Sequence, residues 1–311
     1  MSKIDRVLRS NLKLRHLQLL VALDQFRHLG RAAEFLSVTQ PAVSKTLAEV
    51  ERMLGMPLFE RSTRGTEPTA AGVSMVRFAR SVLAGFERTR DEMAAEASGA
   101  RGRTSVGAMV VATPVLLARA VERLKARSAQ TTVLVEEGDL TRLLPKLRLG
   151  ELDLFVGRLE PGYASPDLET EVLYRDPMVA VVRSGHPLAR KRQVRWADIA
   201  GQPCVMPPPW ASLRVKLEQQ FFAHDLHPPA DIVESASFLS QISFLHQRGA
   251  VAFMARTVAQ HFAQQGLLAV LRLEVPVELP PVGLITLRGQ PMTPVTGLLV
   301  ECLREVGGSM H

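Results

Sequence analysis

At 311 residues, 46% of them hydrophobic, the chain is long enough for about two ordinary domains with real cores. Two cysteines, Cys204 and Cys302, exclude a disulfide framework, and no apolar leader or run of about 18 apolar residues marks secretion or a membrane span, so a cytoplasmic protein is expected. The net charge is +7, and residues 1–66, with eleven Lys/Arg against six Asp/Glu, hold +5 of it, as a nucleic-acid footprint requires and as a solvated face also allows.

Leu14, Leu17, Leu20, Val21 and Leu23 predict an amphipathic first helix. Arg31-Ala32-Ala33-Glu34-Phe35-Leu36 predicts a short packed helix, broken at Ser37-Val38-Thr39. Thr39 is a good N-cap for the next helix, and Pro41 is tolerated in a first turn because its missing N–H has no intrahelical partner there. Val43, Leu47, Val50 and Leu54, spaced four, three and four apart, give that helix one buried face. Gln40, Ser44 and Lys45 lie at or near its start, where a recognition helix offers polar groups to base edges. Gly55-Met56-Pro57 stops the chain. Residues 58–61 then read as a strand, 62–65 as a turn and 66–68 as the return, with Arg61 and Arg64 near the tip placed for phosphate or minor-groove contact.

Residues 69–97 contain no proline and carry Val73, Val76, Ala79, Leu83, Phe86 and Met93 among polar residues, predicting an amphipathic helix of about 40 Å. Such a helix needs a partner, and a second copy of itself is the simplest one. Ser98-Gly99-Ala100-Arg101-Gly102 reads as a hinge. Strands over 104–108, 132–136, 152–156, 179–182, 231–234, 251–254 and 282–287 are then expected. They alternate with helices over 114–127, 140–149, 211–224, 239–247, 258–264 and 293–306, a pattern that predicts α/β architecture with parallel sheets in two groups split near 178 and 275.

Ligands of open α/β sheets bind at carboxyl ends of strands, beside helix N-termini. The candidate segments are Met109 to Thr113 after the first strand, Arg158 after the third, Pro207 to Ser212 before the helix of Arg214, and Ser235 to Phe238, with Met109, Val110, Thr113, Arg158, Pro209, Ser212, Ser237 and Phe238 the candidate contacts. Thr113, Ser212 and Ser237 are candidate caps, with capping alone the plainer reading. Trp210 and Phe238 are candidate apolar contacts, though isolated aromatics more often anchor a core. His224 and His227 have H-x-x-H spacing but no partner cluster, and the basic run Arg183 to Arg195 reads as a solvated loop. No metal or cofactor site and no G-x-S-x-G, P-loop, G-x-G-x-x-G or H-E-x-x-H motif is visible.

Leu17-Gln18-Leu19-Leu20, Arg31 to Leu36, Thr39-Gln40-Pro41-Ala42-Val43-Ser44, Leu47, Glu51, Leu54-Gly55, Leu58-Phe59-Glu60-Arg61 and Thr69-Ala70-Ala71-Gly72 together resemble the LysR-type transcriptional regulators, densely over residues 14–72 and loosely beyond 100. Arg31 stands where that pattern more often has a small residue, and adds a candidate phosphate contact. The resemblance implies a winged helix-turn-helix over 1–68, a dimerising linker helix over 69–98 and a bilobed α/β effector domain over 104–311, similar to periplasmic solute-binding proteins. Lobe I would take about 104–178 and 276–311, and lobe II about 179–275. It implies double-stranded promoter DNA contacted by Arg31, Thr39, Gln40, Pro41, Ser44, Lys45, Arg61 and Arg64, a small organic acid, aromatic compound or sugar as effector, and dimers or tetramers. RNA polymerase is a further partner that it allows, and aromatic-acid catabolism or sugar uptake the setting the N-terminal details look most like. An enzyme or solute-binding module is the alternative reading, opposed by the missing catalytic motifs. A purely architectural DNA binder is opposed by about 200 residues of α/β domain.

Overall fold

The computed structural model describes residues 4, 7–62, 65–98, 102–209 and 211–310. Two compact units divide the chain: residues 1–103 with 145–152, and residues 104–144 with 153–311.

In the first unit, α1 (Leu14–Phe26), α2 (Leu29–Phe35) and α3 (Gln40–Leu54) are followed by the hairpin β1 (Phe59–Ser62) and β2 (Gly65–Pro68) and by α4 (Ala70–Ser98). Left-handed residues end two of these helices, Arg27 (φ 52°) after α1 and Gly55 (φ 77°) after α3. Leu20, Leu23, Ala32, Val43, Leu47, Val50, Leu54 and Leu58 share one core, each Leu or Val side chain contributing about 1.5–3 kcal/mol on burial. Thr69 starts α4. Its Oγ1 accepts from Gly72 N–H at 3.0 Å and donates to the Pro57 carbonyl at 2.9 Å. Gly72 is required there, since a Cβ would stand 1.9 Å from the Leu58 carbonyl oxygen.

The apolar stripe expected on α4 divides into two. Val76 and Ala79 are buried against the core of α1, and Leu83 packs on the same core. Phe86 and Met93 are exposed, joined by Phe78 and Val82. Leu83 therefore belongs to the fold of its own unit rather than to a surface awaiting a partner.

The second unit holds two five-stranded sheets. The first has the order β4 (Thr132–Glu137), β3 (Arg103–Ala108), β5 (Leu154–Arg158), β12 (Val282–Leu287) and β6 (Leu168–Tyr174). The second runs β11 (Leu268–Val270), β7 (Met178–Arg183), β10 (Val251–Ala255), β8 (Cys204–Met206) and β9 (Ile232–Glu234). The helices are α5 (Ala118–Arg127), α6 (Leu140–Leu149, of which residues 145–149 count with the first unit), α7 (Trp196–Ala200), α8 (Ser212–Ala223), α9 (Phe238–Arg248), α10 (Arg256–Gln264) and α11 (Pro294–Gly307).

Both sheets are mixed, which corrects the expectation of parallel ones. β3 pairs parallel with β5, and β8 parallel with β9 and β10. β12 is antiparallel to β5 and β6, and β7 to β10 and β11. The exceptions involve the strands that carry the chain from one sheet to the other. β7 follows β6 after residues 175–177, and β12 follows the irregular stretch 271–281, so neither is delivered by the helical crossover that makes neighbours parallel. One core, including Val106, Val156, Leu299, Val181, Ala252 and Met254, draws residues from both sheets. Among the described residues no helix is long and apolar enough to cross a membrane.

Candidate nucleic-acid interface and effector domain

Thr39 caps α3 as expected, its Oγ1 accepting from Ala42 N–H at 3.4 Å, with Pro41 in the first turn. Val43, Leu47, Val50 and Leu54 are all buried. At the start of the helix Gln40, Pro41 and Lys45 are exposed and Ser44 is half-buried. Gln40 and Ser44, and Pro41 and Lys45, are i,i+4 pairs, so the four cluster in the first two turns of the helix. Arg31 is exposed in the first turn of α2. Arg64 lies outside the described residues. Arg61 is in β1, and its backbone alone is described.

Three contacts absent from the sequence reading hold the wing against the helices. Glu51 accepts from the backbone of Leu58 and Phe59. Thr66 N–H donates to the Arg27 carbonyl at 2.9 Å, beside Gly65 (φ 128°), where a Cβ would come 2.7 Å from the same oxygen. The Arg27 guanidinium pairs with Glu67 and, at 2.8 Å, with Asp24, whose second oxygen takes Arg80 at 3.1 Å. His28 caps α2, also unforeseen, because histidine is not among the usual capping residues.

In the effector domain the expected residues fall into distinct environments. Met109 donates its N–H to the Val156 carbonyl at 2.9 Å and lays its side chain over Gly157, and Val110 beside it is half-buried. Thr113 does not cap. It opens a wide turn, Thr113–Leu117, that leads into α5, and its Oγ1 donates back to the Met109 carbonyl at 3.2 Å. Ser237 caps α9, accepting from Ser240 N–H at 3.3 Å. Ser212 is the first residue of α8, whose cap position is Ala211, and only its backbone is described. Pro209 is exposed, and Trp210 lies outside the described residues. Phe238 packs against Phe262 of α10, ring centroids 4.9 Å apart, and joins Met109 on the common core, which is the anchoring role.

Arg158 is buried, and its guanidinium donates to the Pro280 carbonyl at 2.7 Å and the Asp176 carbonyl at 3.0 Å. Those carbonyls sit on the two segments that pass between the sheets, so Arg158 fastens the crossing itself rather than standing free for a ligand. Burial pulls its pKa below the usual guanidinium value. Asp176, whose Oδ1 accepts from Thr257 N–H at 3.1 Å, is pushed up by burial, as is the buried Tyr174 hydroxyl.

Burial raises both thiols, Cys204 to about 12, against any thiolate chemistry. His224 Nδ1 pairs with the Gln220 carbonyl at 2.8 Å, and among the described residues no three His, Cys, Asp or Glu side chains gather as a metal site.

Known proteins fit this arrangement along its length. Residues 14–73 match the model of the bacterial regulatory helix-turn-helix protein, lysR family, and residues 97–308 that of the LysR substrate binding domain. Over 300 residues the chain is 32% identical to the HTH-type transcriptional regulator GbpR of Azospirillum brasilense, covering 96% of this chain and 87% of that protein. It is 31% identical over 301 residues to PcaQ, a regulator of the same type from Agrobacterium fabrum, covering 96% of each. The crystal structure of CbnR, a LysR family transcriptional regulator, matches with a TM-score of 0.71 at 20% identity, over 95% of this chain and 99% of that one. Full-length CbnR complexed with target DNA matches at 0.70, with 21% identity and 95% and 100% covered. The chain belongs to the LysR family of DNA-binding transcriptional regulators, with an N-terminal helix-turn-helix and a C-terminal effector-binding domain.

Proposed function

We propose that this regulator binds promoter DNA as a dimer or tetramer, with Gln40, Ser44 and Lys45 in the major groove, and that a small organic acid held between the two α/β lobes alters the binding. The observation that carries the reading is α3 itself: one face buries Val43, Leu47, Val50 and Leu54, while the start of the helix leaves Gln40 and Lys45 exposed to solvent. A helix so divided offers its polar start to base edges and is held by its apolar face. CbnR, which shares the fold, is known in complex with its target DNA, which supports the same use of this domain.

For the effector, the reading rests on Thr113 and Ser237 standing at the starts of helical segments after β3 and β9, the strand ends where α/β sheets take ligands. Dimerisation rests on the exposed apolar residues of α4. The protein acts in the cytoplasm and catalyses no reaction in this reading. Footprinting on the DNA flanking its own coding region, with and without a panel of small acids, tests it. Protection of a two-fold related site that changes with one acid is the expected result, and no protection under any condition contradicts it.

A further inference from the structure

His28 stands at the start of the first helix of the helix-turn-helix pair. It is exposed and opens α2. Its Nδ1 accepts from the Gly30 N–H at 3.0 Å and from the Arg31 N–H at 3.4 Å. An imidazole nitrogen that accepts carries no hydrogen, so the neutral ring bears its hydrogen on Nε2. The cap thereby sets the tautomer, and the tautomer leaves a donor at the other end of the ring. A Cβ built on Gly30 would lie 3.1 Å from His28 Cε1 and 3.9 Å from Gln40 Oε1, so the ring and the first side chain of α3 flank the same glycine.

We infer that His28 has two tasks: Nδ1 caps α2, and Nε2–H donates to a phosphate oxygen of the DNA whose bases meet Gln40 and Lys45. In a helix-turn-helix the first helix crosses the DNA backbone while the second enters the groove, so α2 faces phosphate rather than base edges. A neutral donor there fixes register without adding charge. Arg31, also in this first turn, supplies the charge. The inference rests on α3 being the recognition helix, and the experiment separates the two claims.

The full chain is titrated with a duplex carrying the footprinted operator and with a scrambled duplex, over a range of salt. His28→Ser retains a capping oxygen and removes Nε2–H. Its melting temperature should match the parent's, while it binds both duplexes about fivefold more weakly, the loss of one neutral hydrogen bond. The slope of log K against log salt should not change, because a neutral contact releases no counterion. Arg31→Ala should instead flatten the slope. If Gln40→Ala weakens operator binding but His28→Ser binds like the parent, the inference is overturned and the reading of α3 stands. A slope reduced by about one in His28→Ser overturns it as well, since that marks a charged contact. If Gln40→Ala and Lys45→Ala also bind unchanged, the recognition helix is misassigned and the inference falls with it. Histidine-ring 15N spectra of the parent give a readout that needs no variant: the Nε2–H tautomer at His28, with the Nε2 resonance moving when duplex is added. An Nδ1–H tautomer overturns the proposal.

Discussion

Glu51, in the last turn of α3, accepts through Oε1 from the Leu58 N–H at 2.7 Å and the Phe59 N–H at 3.1 Å. One carboxylate thus ties the recognition helix to the start of the wing. Leu58 is fully buried, so its amide has no water to turn to. Glu51→Ala should cost about 1–3 kcal/mol in denaturant unfolding, the price of unmet amides. Glu51→Gln keeps an acceptor oxygen and should cost less than half as much. Equal stability of Glu51→Ala and the parent would show that the link carries no energy.

Base reading and backbone contact should separate by specificity. Gln40→Ala or Lys45→Ala is expected to lose about 1–3 kcal/mol on the operator and to relax base preference. Arg64→Ala should weaken every sequence alike and flatten the salt dependence. Competition binding on operator and scrambled duplexes distinguishes the classes, and unchanged operator binding in both would rule the interface out.

The helices of the DNA-binding unit were legible because their signals are local. Thr39, Pro41, Gly55 and the apolar spacing of α3 specify start, stop and buried face within sixteen residues or so. Strands β8 and β11 escaped because Cys204–Met206 and Leu268–Val270 are short and apolar throughout, with no polar residue to mark a period. β6 (Leu168–Tyr174) escaped because its side chains do not alternate cleanly between buried and exposed. Strand direction was not readable at all: whether β7 runs with or against β10 depends on where the chain crosses between the sheets. The same limit applies to Thr113. Its hydroxyl chose the Met109 carbonyl over a capping role because the chain takes a wider turn there, a choice no residue pattern announces.

On α4, Phe78, Val82, Phe86 and Met93 follow at intervals of four, four and seven, all exposed, along one flank of the face that Val76 and Ala79 bury. Phe78→Glu with Phe86→Glu should convert a sedimenting dimer to monomer without unfolding the helix-turn-helix, because a charge placed in an apolar interface has no partner. Leu83→Glu should destabilise the unit itself, since Leu83 packs on its core. A double mutant that still sediments as a dimer would remove α4 from the interface.

His16 is fully buried in α1. Its Nδ1 accepts from the Lys13 N–H at 3.2 Å, and Nε2 has no hydrogen-bond partner among the described residues. Burial, seconded by the charges of Arg15 and Lys13 and opposed by Glu49, holds its pKa below the ordinary 6.5. The unfolded chain therefore takes up the proton first as pH falls. Stability contributed by neutral His16 is present above about 6.5 and is lost below it, until the folded form is protonated too. Melting followed from about pH 7 to about pH 5 should fall more steeply for the parent than for His16→Asn. Parallel curves would mean that this imidazole titrates alike in both states.

The effector response should depend on hydroxyls of both lobes. Thr113 stands after β3, at the opening of the turn into α5, and Ser237 after β9, at the cap of α9, each beside backbone N–H groups suited to an anion. An acid that bridges them stabilises whichever lobe arrangement brings them together, and it can shift DNA binding only by its differential affinity for the two arrangements, about 1–3 kcal/mol in such systems. Thr113→Val is close to isosteric and removes one donor, so basal operator binding should persist while the effector concentration needed for half response rises about tenfold. Ser237→Val also removes a helix cap, at about 1 kcal/mol of stability. Ser237→Asn, which can still cap, separates that loss from the loss of ligand contact. Operator titrations at fixed effector concentrations, set beside melting curves, read both effects. If the Thr113→Val, Ser237→Val double mutant responds at the parental concentration, the ligand binds elsewhere in the domain.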